Sequence, residues 1–225
     1  CASLHRGGSV IFAPPRDFIE IVRTNQNIHT LMILREANLF SNSVSDKLKD
    51  KDKLSSIRVL GAHLPDRVRE RLHTHLAKQV INSYSSNEAG QIAEILPNGE
   101  GQIYPDVELK IVDVGGTDLP IGKMGRVATR SAQQISSYLW NPELNATHFK
   151  DGWFISNDVG YLNAQGMLVY IDRADHMINL GGIKIPPKPF EEKIRALPFV
   201  SDCVLIGENA FFEIETLLVG VEVVK

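Results

Sequence analysis

Between Trp153 and Asp175 the sequence sets an acid, a hairpin and an Arg-acid pair in a row, and no other stretch constrains the chain as much. Asp158 follows the short apolar run Trp153-Phe154-Ile155, and Leu168 leads into Asp172-Arg173-Ala174-Asp175. Gly160 and Gly166 lie between and read as turn glycines, so Asp158 and Arg173 are predicted to meet in space although fifteen positions apart. A carboxylate accepts two hydroxyl protons at once and a guanidinium donates to oxygens, so the pair suits a ribose and its phosphate. Taken alone, the same pair also fits a surface salt bridge.

Composition narrows the setting. With 225 residues, 43% of them hydrophobic, the chain can bury a sizeable core. A net charge of -3 gives no field for a polyanion, which argues against a nucleic-acid partner. Cys1 and Cys203 are too few for a disulfide framework, and no apolar run approaches the roughly 20 residues of a membrane span. The expectation is a soluble, cytoplasmic protein.

Along the chain, Ser9 to Ala13 reads as a buried strand ended by Pro14-Pro15, and Asp17 as the cap of a helix carrying Phe18, Ile21 and Val22. Leu31 to Phe40 reads as a core helix, and the mixed charges of Lys47 to Lys53 as a solvated loop. Ile57 to Leu60 is a strand, Pro65 opens a helix with Val68, Leu72 and Leu76 on one face, and Gln79 to Asn82 is the next strand. This alternation predicts an α/β layer of βαβ type on a mainly parallel sheet. From about residue 92 short strands with turns follow, at Ile92 to Leu96, Val107 to Val112 and Gly125 to Thr129, predicting a distorted β-barrel subdomain. Phe190, Ile194 and Leu197 form a helical stripe behind Pro189, and Val204 to Ile206 and Leu217 to Val224 read as strands. The expected division is 1–91 (layered part), 92–174 (barrel-like part) and 175–225 (start of a small α+β domain). His63, His73 and His75 do not converge on one face, which argues against a metal there.

Asn82-Ser83-Tyr84-Ser85-Ser86-Asn87-Glu88 follows the last strand of the layered part. An aromatic ring at a strand end offers a stacking face for a base, worth roughly 1–3 kcal/mol in nucleic-acid proteins. Ser83, Ser85 and Asn87 supply neutral donors for phosphate oxygens, and Glu88 a hard oxygen ligand for magnesium. A plain polar loop is the competing reading.

Two groups of residues then carry a resemblance. Phe149-Lys150-Asp151-Gly152-Trp153, Ser156-Asn157-Asp158, Asp172-Arg173-Ala174-Asp175-His176, Gly182-Ile183-Lys184-Ile185-Pro186 and Phe190-Glu191 stand at fixed spacing. With Asn82 to Glu88, they resemble the adenylate-forming ligase superfamily of acyl-CoA and aryl-CoA synthetases, luciferases and peptide-synthetase adenylation domains. The resemblance implies ATP or AMP, Mg2+ and coenzyme A or a pantetheine thiol as cofactors. A small-molecule carboxylic acid, CoA or a carrier protein, and the remaining segments of a parent chain are the implied partners. Tyr84 would stack on adenine, Asp158 would take the ribose hydroxyls, and Arg173 would brace ribose and α-phosphate. Asn87 would stand at a phosphate-binding position and Glu88 would hold the metal, with Asn82, Ser83, Ser85 and Ser86 lining the same motif. Lys184 occupies a position often basic in the family, with a solvated strand lysine as the alternative. Gly61-Ala62-His63 resembles a turn bordering the adenine, or is a plain strand-helix turn. Asp175 matches the hinge of the small domain, and Gly181-Gly182 either lines a pantetheine tunnel or forms a tight turn.

Family members are more than twice as long, so the resemblance implies a fragment of a longer protein, inactive by itself without the phosphate loop and catalytic lysine. Several positions depart from the family pattern: Ser85 for glycine, Asn87 for threonine, Ser156-Asn157 for Thr-Gly, and Asp172 for the glycine before Arg173. These departures support the alternative of a non-catalytic nucleotide-binding or scaffold module. The spatial expectation common to both is that Tyr84, Asp158 and Arg173 meet around one nucleoside.

Overall fold

The computed structural model describes residues 7–12, 14–43, 54–61, 64–180, 183–209 and 215–223. The chain divides into two compact units, 1–83 and 84–225. Ala13, Lys47 to Lys53, Ala62, His63, Gly181 and Gly182 lie outside the described residues.

In the first unit, α1 (Phe18–Thr24) and β1 (His29–Ile33) precede α2 (Leu34–Ser43), β2 (Ser56–Leu60), α3 (Asp66–His75) and β3 (Val80–Ser86), whose last three residues belong to the second unit. β2 pairs in parallel with β1 and with β3, as the βαβ reading requires. Val68, Leu72 and Leu76, one helical turn apart, bury against Ile57 and Val59 of β2, because alternate strand residues face one side. Phe18 packs against Phe40 with tilted rings, their centroids 4.4 Å apart.

Three expectations change here. Residues 9–12 form no strand; Phe12 is 95% exposed, and no strand pairs with this run among the described residues. Leu31 to Phe40 is the end of a strand followed by a helix. A short apolar run does not separate the two by periodicity, and pairing with β2 decides for the strand. The strand after α3 continues past Asn82 to Ser86, so the first five residues of the polar motif are strand rather than loop. Asp17 precedes α1 as expected, but its side chain makes no capping bond.

The second unit holds an antiparallel sheet with the order β4 (Gly90–Ile95), β5 (Glu100–Ile103), β10 (Leu168–Arg173), β9 (Trp153–Leu162), β7 (Gly125–Ser131) and β6 (Val107–Val112). Ile92 and Ala93 of β4 share a cluster with Phe154 of β9 and Val107 and Leu109 of β6. The two ends of the strand path thus curl over one core, which is the distorted barrel expected. α4 (Pro142–His148) is capped by Asn141, whose side chain accepts from the Leu144 amide, and runs into the two-residue strand β8 (Phe149–Lys150).

Beyond β10 come the hairpins β11 (Ile178–Leu180) with β12 (Ile183–Ile185), and β13 (Val200–Asn209) with β14 (Glu215–Val223), and the helix α5 (Lys188–Arg195). Ile178, Val200, Cys203 and Leu205 form a core with Ile194 packed on it. Only Ile194 of the expected stripe reaches that core. Phe190 and Leu197 are exposed, and Leu197 lies past the helix end.

Gly160 has a different role from the one expected. It sits inside β9, not in the turn, and a Cβ there would lie 2.6 Å from the Val169 carbonyl oxygen of β10. Gly166 does take the turn, at φ +74°, where Asn163 accepts from the amides of Gln165 and Met167.

Candidate functional site

The β9–β10 register places Asp158 directly opposite Arg173. Two irregularities shape this place. Between β7 and β9, Arg126 faces Val159 while Ala128 faces Ile155, so Ser156, Asn157 and Asp158 bulge out of the ladder. Between β9 and β10 the register shifts again at Tyr170 to Asp172. A bulge re-aims the side chains it carries, and Asp158 is one of them.

Tyr84, near the end of β3, donates its hydroxyl to Asp158 Oδ2 at 2.5 Å. Its ring packs against both the Ala89–Ile92–Phe154 cluster and the Ile111–Val127–Leu168 cluster, and lies 5.8 Å from the ring of Tyr170. Burial, then the Asp158 carboxylate, hold the Tyr84 hydroxyl well above its ordinary range. Burial also raises Asp158 above the usual carboxylate range, while the Tyr84 bond and the Arg173 charge pull it back in part. The charges of Asp175 and Glu88 push it up further. Tyr170 is raised by burial and by Asp158 and Asp172.

Arg173 makes a two-pronged bond to Asp175, Nε to Oδ1 at 2.9 Å and Nη2 to Oδ2 at 3.0 Å. This holds the Asp175 carboxyl below its usual range. Both side chains are about half exposed, so the pair contributes about 0–1 kcal/mol to stability. The residue expected to brace a phosphate and the residue expected at the hinge are therefore partners here.

Glu88, in the turn after β3, accepts from the Tyr138 hydroxyl at 2.8 Å, and its carbonyl accepts from the Ile135 amide. Burial and the Glu88 carboxylate push Tyr138 up to about 12. Asn145 fixes Tyr138 in turn, bonding its amide and carbonyl. Ser86 accepts from the Ala89 amide, Ser85 is half-buried, and Asn87 is exposed at the turn.

Other predicted residues lie elsewhere. Ser83 is buried, with its hydroxyl accepting from Arg58. Asn82 is 1% exposed, and among the described residues neither atom of its amide has a hydrogen-bond partner. Gly61 closes β2 at φ +86°, a conformation glycine adopts without strain. Lys184 is exposed on β12. Ala62, His63, Gly181 and Gly182 lie outside the described residues.

Three of the residues that depart from the family pattern, Ser156, Asn157 and Asp172, find local partners. The Ser156 hydroxyl donates to the Val127 carbonyl and accepts from the Asp158 amide. Asn157 accepts from Arg126, and Asp172 accepts from its neighbour's amide and from His176. Sequence reasoning missed Arg126, Tyr138 and Tyr170. The Ser156-Asn157 departure was a signal for the first, because an altered position asks what it now touches.

The family described as AMP-binding enzyme matches residues 1–139. The chain is 26% identical over 211 residues to the probable 4-coumarate–CoA ligase 3 of Dictyostelium discoideum, covering 87% of this chain and 37% of that protein. Among solved structures, the amide bond synthetase McbA from Marinactinospora thermotolerans aligns with a TM-score of 0.79 at 24% identity, over 95% of this chain and 45% of that one. The O-succinylbenzoate coenzyme A synthetase MenE from Bacillus subtilis, in complex with ATP and magnesium ion, aligns with a TM-score of 0.76 at 19% identity, over 93% and 44%. The fold is thus part of the adenylate-forming ligase fold, and the chain spans less than half the length of these relatives. No helix among the described residues is long and apolar enough to cross a membrane.

Proposed function

The chain belongs to the AMP-binding enzyme family of adenylate-forming ligases, and from that premise we propose that it carries the adenosine-binding residues of an ATP-dependent carboxylic acid–thiol ligase. In the reaction proposed, a substrate carboxylate attacks the α-phosphorus of ATP, releasing pyrophosphate and leaving an acyl-adenylate. A thiol, coenzyme A or a carrier-protein pantetheine, then attacks the acyl carbon and displaces AMP. The cytoplasm is the proposed setting.

One observation carries the reading: Tyr84 is bonded to Asp158, and Arg173 stands opposite Asp158 in the register. Tyr84 orients the carboxylate by one oxygen, so the ribose hydroxyls are offered the other, and adenine lies against the Tyr84 ring. Charge-assisted hydrogen bonds of this type are worth about 1.5–3 kcal/mol. Arg173 exchanges Asp175 for the α-phosphate. That exchange costs little, because the ion pair is exposed, and it couples nucleotide contact to the hinge at Asp175. Asn87 and Lys184 are assigned to the phosphates, and Gly181-Gly182 to the pantetheine path.

Among the described residues no group of three or more His, Cys, Asp or Glu could hold a metal ion. The single carboxylate of Glu88 fits a magnesium ion that arrives on the nucleotide, since Mg2+ keeps waters and phosphate oxygens for most of its coordination. When bound, that ion supplies charge neutralisation on the phosphates. Glu88 is held for it by Tyr138.

A second reading, a nucleotide-binding module without catalysis, draws on the same bond: the Tyr138 hydroxyl already satisfies part of the Glu88 carboxylate. Exchange of labelled pyrophosphate into ATP by the full-length protein, over a panel of carboxylic acids, separates the two. Ligation predicts exchange with at least one acid that is lost in Asp158→Ala. AMP binding without exchange in any case supports the module, and no AMP binding overturns both.

A further inference from the structure

Arg126, near the start of β7, directs its guanidinium at one short stretch of β9. Nε donates to the Ser156 carbonyl at 2.8 Å, and Nη2 donates to the Ile155 carbonyl at 3.2 Å and to Asn157 Oδ1 at 3.1 Å. His148 Nδ1 reaches the same Ile155 carbonyl at 2.7 Å. Nη2 also lies 3.3 Å from His148 Nδ1, which donates to the Ile155 carbonyl and so accepts nothing from Arg126. The three acceptors of Arg126 are neutral oxygens, and burial lowers its pKa. A half-buried cation without an ionic partner in its bonds costs desolvation energy. What the arrangement supplies is position, because the planar guanidinium fixes several acceptors in one geometry.

Those acceptors lie on the β9 bulge and at its edge. The ladder steps from Ala128–Ile155 to Arg126–Val159, two residues on β7 against four on β9, so carbonyls of this stretch leave the regular pairing. The Arg126 side chain bonds them instead. Ser156 secures the other side of the bulge, bonded to the Val127 carbonyl and the Asp158 amide. We infer that Arg126 is a positioning residue, holding the bulge Ser156-Asn157-Asp158 in the shape that presents the Asp158 carboxylate to the ribose hydroxyls of the nucleotide. The inference rests on the reading of Asp158 as the ribose-binding acid. It adds a residue that acts only through Asp158, and it explains Asn157 as the partner of Arg126.

Calorimetric titration of the full-length protein with AMP and with 2′,3′-dideoxy-AMP tests it, since the second nucleotide lacks the hydroxyls Asp158 is assigned. Arg126→Gln is expected to weaken AMP about tenfold and to leave dideoxy-AMP within about twofold, as a contact made through the hydroxyls requires. Asn157→Gly removes one acceptor and leaves both backbone carbonyls, so it gives a smaller loss with the same selectivity should Arg126→Gln fold poorly. Equal losses on both nucleotides, or no loss, in these variants while Asp158→Ala discriminates would overturn the role of Arg126 and leave the ribose assignment intact. If Asp158→Ala itself binds both nucleotides as the parent protein does, the ribose assignment falls and the inference with it.

Discussion

The Tyr84 hydroxyl donates to Asp158 Oδ2 at 2.5 Å, joining residues 74 positions apart. Arg173 faces the same aspartate from β10. The bond makes Tyr84 more than a ring for a base to lie on, because it also sets the orientation and proton affinity of the acid beside it.

Tyr84→Phe keeps the ring and removes the hydroxyl. The Tyr84 bond lowers the Asp158 pKa, so its loss raises that pKa further. AMP binding needs the carboxylate and weakens as pH falls through the Asp158 pKa. The acidic limb of an affinity-against-pH profile should therefore move to higher pH in Tyr84→Phe. Tyr84→Ala should lose stacking as well, about 1–3 kcal/mol by comparison with other base–aromatic contacts.

Asp158→Asn separates binding from stability. The folded pKa of Asp158 lies above its unfolded value, so the stability it contributes is complete below the unfolded pKa of about 3.9. That contribution is lost as pH rises through the folded pKa, and at neutral pH the ionised group is a net cost. Asp158→Asn should melt at the same temperature or higher at pH 7, while AMP affinity falls by about 1.5–3 kcal/mol. Thermal melts and calorimetry read the two effects.

Gly160→Ala tests the strand geometry that brings Asp158 to Arg173. The added methyl would sit 2.6 Å from the Val169 carbonyl oxygen, a backbone atom with little room to move. A cost of about 1–3 kcal/mol is expected, measured by urea unfolding, with weaker AMP binding. Alanine at Gly122, with no atom within 4 Å of its Cβ position but φ +79°, isolates the cost of backbone strain without the clash.

Glu88→Gln keeps an acceptor for Tyr138 and removes the charge. The account expects weaker ATP binding in the presence of magnesium and unchanged AMP binding without it. Equal weakening of both would place Glu88 in the scaffold rather than at the metal.

Much of this was legible in the sequence, and the losses have physical causes. The helix face Val68–Leu72–Leu76 and the nearness of Asp158 to Arg173 follow from local spacing, which a turn and a 3.6-residue period fix. Leu31 to Phe40 was misread because a short apolar run becomes strand or helix according to its partner, and β2 is that partner. Gly160 looked like a turn glycine because φ freedom and close approach call for the same residue. Arg126 was legible only through the Ser156-Asn157 departure, which marks an altered place without naming its partner: the role depends on a bulge that no local pattern announces, thirty residues away. The Arg173–Asp175 fork spans only two residues, yet the family resemblance implied separate tasks for those side chains.

A crystal structure of the full-length protein soaked with AMP tests the central claim most directly. The account predicts ribose hydroxyls within hydrogen-bonding distance of the Asp158 carboxylate, the base against the Tyr84 ring, and Arg173 turned from Asp175 toward the phosphate. Density for AMP at a place that touches neither Tyr84 nor Asp158, with their bond and the Arg173–Asp175 fork unchanged, would contradict it.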